Sequence, residues 1–306
     1  MASVTLTESA KLAQDELVAG VIENVVTVNP FFEMVPFDGI DGNALSYNRE
    51  NALGDVMMAG VGTTITAKNA ATFTKVSSSL TTIVGDAEVN GLIQATRSGD
   101  GNDQRAVQIA SKAKSAGRQF QDQMVNGDGT GNNMTGLLSL VASGQTIEAG
   151  ANGAALSFDL LDQLIDLITD KDGQVDFLMM PARTIRAYAA LLRALGGTTP
   201  NDMYTMPSGK KVFQYREIPI FRNDWIPTDQ TQGATATCTT VFAGTFDDGS
   251  RTHGIAGLTA TKAAGLQVKH IGESETKDET IDRVVWYCGL ALFSEKGLGA
   301  LVGVTN

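Results

Sequence analysis

Cysteine is nearly missing from this chain. Cys238 and Cys288 are the only two among 306 residues, so at most one bridge can form and a disulfide framework is excluded. Such sparse usage fits a reducing compartment, with both thiols expected as small buried hydrophobes. Histidine is equally scarce. His253 and His270 stand in no metal-ligand spacing to each other or to the cysteines, and no metal or cofactor is expected. Aromatic residues make up 6% of the chain, which leaves few large anchors for a core. Long apolar runs are absent too. Val284 to Phe293 is far too short to span a bilayer, and no basic-then-apolar segment opens the chain, so a soluble protein without a membrane role is expected. Positive charge is in deficit, 23 basic against 34 acidic residues, for a net charge of −11. Proteins that grip DNA present a basic patch, so this chain would meet nucleic acid as a wall rather than a clamp.

What is abundant is glycine, 33 residues, in a chain long enough to bury a substantial core. The stretch from Gly101 to Leu138 organises the rest. Ala106, Ile109, Ala110, Ala113, Ala116, Gly117, Phe120 and Met124 recur in steps of three and four, which predicts one long amphipathic helix. Asp103 can cap its start, and Gly127 is expected to end it in a left-handed turn. About twenty-four residues make a rod of roughly 36 Å. The glycine-rich run Asn126-Gly127-Asp128-Gly129-Thr130-Gly131 follows at once.

Residues 1–36 read as an acidic, partly helical arm, broken by Pro30 and Pro36 around the apolar Phe31, Phe32 and Val35. Residues 44–84 alternate in Leu45–Arg49, again in Thr64–Thr66 and again in Phe73–Ser77, around a tip holding Gly54, Gly60 and Gly62. This predicts a long hairpin with arms of twelve to fifteen residues, roughly 40–50 Å. A lone ribbon is marginal in water, so it must rest on something, and a neighbouring subunit is the economical support.

Downstream, a short helix is expected around Asp86–Thr96 and a loop at Ser98–Asn102. Beyond the rod, Ser157 should cap a helix carrying Leu160, Leu161, Leu164, Ile165 and Ile168, ended by Asp172-Gly173. Val175–Met180 reads as a buried strand, and Pro181 opens a helix that stops at Gly196-Gly197. Ser208-Gly209 signals a hairpin, and Glu217–Phe221 a strand. Thr237–Phe246 reads as a strand ending in the hairpin signal Asp247-Asp248-Gly249. Ile255–Val268 and Arg283–Phe293 are further strands, separated by an acidic turn at Glu273–Asp282, and Leu298–Val304 closes the chain. The mixture predicts an α+β protein.

The search for chemistry finds little. Phosphate cradles need glycines after a strand and opening a helix; the run at 126–131 follows a helix and no Gly-Lys-Ser/Thr comes after it. A calcium loop starting at Asp128 fails because Asn133 stands where glycine is required and no glutamate closes it. There is no Gly-x-Ser-x-Gly elbow. Glu273, Glu275, Asp278, Glu279 and Asp282, mixed with Lys277 and Arg283, read as a solvated loop. The rod's basic face, Arg105, Lys112, Lys114 and Arg118, is either solvated or turned toward DNA or acidic neighbours. No catalytic constellation remains, so a non-enzymatic building block is expected.

The order of parts resembles the major capsid proteins of tailed bacteriophages, the Hong Kong 97 fold. The resemblance lies in an arm, an extended hairpin, a spine helix ending in N-G-D-G-T-G with T-G-L-L after it, and an α/β lobe. E-I-P-I-F-R-N-D-W-I-P at 217–227, V-F-A-G-T-F at 241–246, and the strand pair at 281–304 strengthen it. It implies an N-terminal arm at 1–36 and an extended loop at 44–84. A peripheral domain with the spine helix would comprise 37–43, 85–135 and 246–290, and an axial domain 136–245 with 291–306. It further implies hexamers and pentamers of an icosahedral shell around double-stranded DNA, made in the host bacterial cytoplasm and ending in the virion. The chain begins directly with the arm, which implies a separate scaffolding protein and no processing. A portal and possible decoration proteins are the other partners the family implies. Family members that crosslink join a hairpin lysine to an asparagine. Lys68 and Lys75 lie in this hairpin, but no asparagine or acid matches, so no crosslink is expected.

The residues expected at subunit interfaces are Tyr47, Arg49, Lys68, Phe73 and Lys75 on the hairpin and Arg105, Lys112 and Arg118 on the rod. Bending is expected at the glycines near 54–62 and 126–131. Two other readings compete: an encapsulin-type protein compartment, and an enzyme using the turn 126–131 on a phosphorylated ligand.

Overall fold

The computed structural model describes residue 31 and residues 34–98, 103–170, 173–196 and 203–306. The expected arm at 1–36 therefore lies outside the described residues except for Phe31 and Met34–Pro36, as does most of the expected loop Ser98–Asn102.

The chain opens with β1 (Phe37–Ile40), β2 (Ala44–Ala52), β3 (Thr72–Ser79) and β4 (Thr81–Asn90). Helices α1 (Gly91–Arg97), α2 (Gln104–Asn126) and α3 (Leu137–Leu140) follow, then β5 (Thr146–Glu148), α4 (Phe158–Thr169), β6 (Phe177–Met180) and α5 (Ala182–Ala194). The remainder is strand: β7 (Met203–Thr205), β8 (Lys211–Tyr215), β9 (Ile218–Arg222), β10 (Gln230–Gln232) and β11 (Thr235–Gly244). Last come β12 (Ile255–Ala260), β13 (Gln267–Glu273), β14 (Glu279–Leu292) and β15 (Leu298–Val304). The protein is mixed α+β.

These strands form three sheets. The first runs β1-β12-β14-β13, with β4 also paired to β14. The second runs β5-β15-β11-β6-β9-β8-β7, with β10 on β11. The third is the two-stranded ribbon β2-β3. Neither large sheet is made of one stretch of chain. The path crosses from the second to the first after β11 and returns between β14 and β15.

Local chemistry explains the helices. Asp103 accepts a hydrogen bond from the Arg105 N–H, and Ser157 accepts one from the Leu160 N–H, so both expected caps are in place. Helix α5 starts directly behind Pro181, where the missing N–H costs nothing. Leu161, Leu164, Ile165 and Ile168 of α4 and Tyr188 and Leu192 of α5 pack on the second sheet against Leu178, Ile220, Val241 and Leu301.

The largest core lies at the seam of the two sheets. Phe120 and Met124 of α2, Phe177, Phe221, Phe242, Leu290 and Leu298 meet there. Phe31 plugs this seam from the chain's beginning, its ring 5.0 Å from Phe177, 5.7 Å from Phe221 and 5.5 Å from Phe246. It is fully buried.

Several local expectations need correction. Asp86–Asn90 continue β4 rather than start a helix; Ala87 and Val89 point inward, and Asn90 caps α1 through the Leu92 N–H. The Asp247-Asp248-Gly249 turn exists, with Asp247 accepting from the N–H groups of Gly249 and Arg251. Its flanking strands β11 and β12, however, belong to different sheets, so it is no hairpin. Ile255–Val268 is broken after Ala260 by a short 3-10 turn. Gly127 ends α2 at φ −58°, outside the left-handed region; glycine is needed because a Cβ there would run into the Met134 carbonyl.

Candidate functional site

The ribbon β2-β3 is the element least absorbed by the body. Its pairing sets Leu45 opposite Ser78, Tyr47 opposite Val76 and Arg49 opposite Thr74 on one face. Ser46 faces Ser77, Asn48 faces Lys75 and Glu50 faces Phe73 on the other. Burial follows the same period of two: Leu45, Tyr47 and Arg49 are partly buried, while Ser46, Asn48 and Glu50 are exposed. The arms are shorter than expected, nine and eight residues, and Thr64–Thr66 forms no strand. Between the arms, residues 53–71 make a tip with Val56, Met58 and Val61 almost wholly exposed. Asn69 donates to the Asp55 carboxylate and thereby closes the tip's base.

The structure divides the expected interface residues by face. Phe73 (65% exposed) and Lys75 lie on the outward face of the ribbon, and Lys68 on the exposed tip. Tyr47 and Arg49 lie on the inward face and hold their own chain. The Tyr47 hydroxyl donates to the Leu292 carbonyl (2.7 Å), and its ring stands edge-on to Phe293 at 5.2 Å. Arg49 donates to the carbonyls of Phe293 (3.1 Å) and Leu292 (2.7 Å) and pairs with Glu295 (2.5 Å).

Helix α2 packs on the first sheet, against β4 and β14. Its second half is cemented by Ala116, Phe120, Met124 and Val125, with Phe120 stacked 4.4 Å from Trp286. The Trp225 indole N–H donates to Gln121, and Arg118 sits 5.8 Å over the Trp225 ring, so Arg118 makes a cation–π contact within the chain. In the first half Ala106 and Ala110 are exposed, and polar contacts do the holding. Arg105 pairs in bidentate fashion with Asp282, which also contacts His270 Nδ1 at 2.9 Å. Lys112 lays its stem on Gly85 of β4.

Asp282 was therefore misplaced by its acidic neighbourhood in sequence. It sits 1% exposed in β14, and Glu279 is buried as well, so the solvated loop shrinks to residues 274–278. The Arg105 hydrogen bonds hold the Asp282 carboxyl below its ordinary value; burial opposes them and His270 assists. Alongside, Arg283 clasps Asp86 at 2.7 and 2.8 Å and likewise lowers its carboxyl.

The glycine-rich run is a closed turn. Asp128 accepts from the Thr130 N–H, the Thr130 hydroxyl and the Asn133 amide, which pulls its carboxyl down to about 2. Gly129 and Gly131 take φ of 69° and 61°, and the Gly129 N–H donates to the Met134 carbonyl. The run is tied to itself and to α3, so 126–131 is not a place where bending comes easily. Among the described residues, no three His, Cys, Asp or Glu side chains gather as a metal ion would need, and no helix is long and apolar enough to cross a membrane.

Comparison with known proteins supplies what geometry alone cannot. Searched against curated proteins, the sequence has no match. Many solved structures resemble it, among them three that match nearly its whole length as follows. One is the SrpI encapsulin of Synechococcus elongatus PCC 7942 (TM-score 0.74, 17% identity, 99% of this chain and 97% of that one). Another is the capsid subunit of cyanophage A-1(L) (TM-score 0.73, 11% identity, 99% and 100%). The third is the capsid of the native GTA particle (TM-score 0.67, 12% identity, 99% and 99%). At such low identity these likenesses show a shared fold. The family model of the SU10 major capsid protein matches residues 20–232, well over half of the chain. The chain thus belongs to the SU10 major capsid protein family, and its place is the capsid of a virion.

Proposed function

We propose that this major capsid protein is a non-catalytic subunit of the Hong Kong 97 fold that assembles with copies of itself into a closed shell around double-stranded DNA. The observation that carries the reading is the ribbon and its tip. Leu53, Val56, Met58, Val61 and Ile65 are 61–111% exposed on a two-stranded element whose strands, among the described residues, pair with each other alone. Such an apolar surface in water is a surface awaiting a partner. Identical copies supply one, with Lys68, Phe73 and Lys75 on the sides that face away from the subunit's own body.

In this reading the first sheet with α2 forms the peripheral domain and the second sheet with α4 and α5 the axial domain. Sheet membership supports boundaries close to 37–43, 85–135 and 246–290 for the one and 136–245 with 291–306 for the other. The β2-β3 hairpin belongs to the extended loop, 44–84, and residues 1–36 are the arm. A scaffolding protein, a portal and decoration proteins are the further partners this reading brings. The net charge of −11 suits a wall along which packaged DNA slides.

Negative-stain microscopy of the expressed full-length chain tests the reading. Closed particles, emptied of them by deletion of residues 52–62 while the subunit stays folded by circular dichroism, are the expected result. A compact monomer at high concentration, or normal particles from the deletion variant, overturns it. The encapsulin likeness makes a compartment for protein cargo the second reading, since the fold is shared. Nucleic acid in particles isolated from the native host separates the two.

A further inference from the structure

The contacts of Tyr47 and Arg49 are distinctive in where they land. Leu292 is the last residue of β14, and Phe293 begins the link that carries the chain out of the first sheet and into β15 of the second. A backbone carbonyl at that junction moves with the junction. Arg49 grips both carbonyls with one planar guanidinium, and Glu295, inside the same link, accepts from its third nitrogen. Tyr47, two residues away on the same face, adds a bond to the Leu292 carbonyl and a ring against Phe293. Beside this clamp lies an open cleft of about 710 Å³, walled by Asn48–Asn51 on one side and Ala142–Gln145 on the other. The ribbon thus has room to swing on that side.

We propose that Tyr47, Arg49 and Glu295 are positioning residues that fix the direction in which the hairpin leaves the body by clamping it to the β14–β15 link. A shift of one large sheet against the other displaces that link and carries the hairpin with it. The clamp therefore couples the internal geometry of the subunit to the aim of its longest projection. The significance of that aim rests on the hairpin being the arm that reaches other copies; the clamp itself does not.

The guanidinium is what the clamp requires. Lysine carries the charge but, as a point donor, cannot span two carbonyls and a carboxylate at once. Exchanging Arg49 and Glu295 keeps an ion pair but places a carboxylate against two carbonyl oxygens.

The test measures the hairpin's direction in the unassembled full-length chain. Spin labels on introduced cysteines, Ala52→Cys at the end of β2 and Asp166→Cys on α4, both exposed, react selectively because Cys238 and Cys288 are buried. One narrow distance distribution is expected for the parent, and a broadened or displaced one for Arg49→Ala. Arg49→Lys and Glu295→Ala should each fall between them, and the exchange Arg49→Glu with Glu295→Arg should not restore the narrow distribution. Should Arg49→Ala not fold, Tyr47→Phe combined with Arg49→Lys is read in the same way, since it keeps both side chains' bulk. A distribution unchanged by Arg49→Ala, or restored by the exchange, overturns the proposal. If the variants loosen the hairpin but no shell ever forms, the clamp stands and the shell reading falls.

Discussion

Arg105 leaves the first turn of α2 to meet an aspartate 177 residues further on, and that pair is the main tie between the helix's exposed half and the first sheet. Asp282 is buried while Arg105 is about one-third exposed. Arg105→Ala would leave the buried carboxylate with His270 as its remaining side-chain contact; breaking a fully buried pair costs ~3–5 kcal/mol, and the partial exposure of Arg105 discounts this to about 2 kcal/mol. Urea unfolding of the soluble subunit measures it. The pH dependence follows from the sign of the shift. Asp282 has a folded value below the ordinary 3.8, so its contribution is complete above that value and is lost as pH falls through the lowered one. The stability gap between the parent and Asp282→Asn should thus shrink as pH falls below about 4. None of this was legible in the sequence. A run of acidic residues beside Lys277 looks solvated, and only a partner distant in the chain shows which of them is buried.

Along α2, glycine serves two different needs. A Cβ at Gly117 would meet nothing within 4 Å, so Gly117→Ala should stabilise the helix by about 1 kcal/mol through propensity alone. A Cβ at Gly127 would collide with two backbone carbonyls, those of Met134 and Gln123, and Gly127→Ala should cost about 1–3 kcal/mol through overpacking. Opposite shifts in the two thermal midpoints check the pair. Phe120→Ala, which removes a ring stacked on Trp286, should cost about 3–5 kcal/mol by calorimetry of the same subunit. At this scale the sequence is a good guide. The periodicity of α4, the caps at Asp103 and Ser157, and the alternation of β2 and β3 are all local signals, and all are realised; of the α2 stripe the second half is buried, while Ala106 and Ala110 stay exposed. The errors arise where local signals conflict with pairing. Asp86–Asn90 contains good helix formers, yet Ala87 and Val89 are drawn inward by ten residues of register with β14. The Thr64–Thr66 alternation has no partner strand to answer it, and it stays irregular.

For the molecule as a whole, the chain order of the sheets is what local patterns do not encode. The Asp247–Gly249 turn says where the backbone reverses, but nothing in it says that β11 and β12 part company there. Likewise the parallel pairing of β1 with β12 joins residues more than two hundred positions apart. The division into two large sheets is not written in local patterns, because each sheet is assembled from separated pieces and a shared apolar seam joins them. The position of β15 has a consequence in time. It fills the slot between β5 and β11, with Leu298, Leu301 and Val304 fully buried, yet it follows every other described strand in the chain. While a ribosome is still making it, β5 lacks the strand it pairs with and α4 lacks one of the strands it packs on. A nascent subunit is consequently not yet a finished building block, and translation itself delays the moment at which copies first fit together.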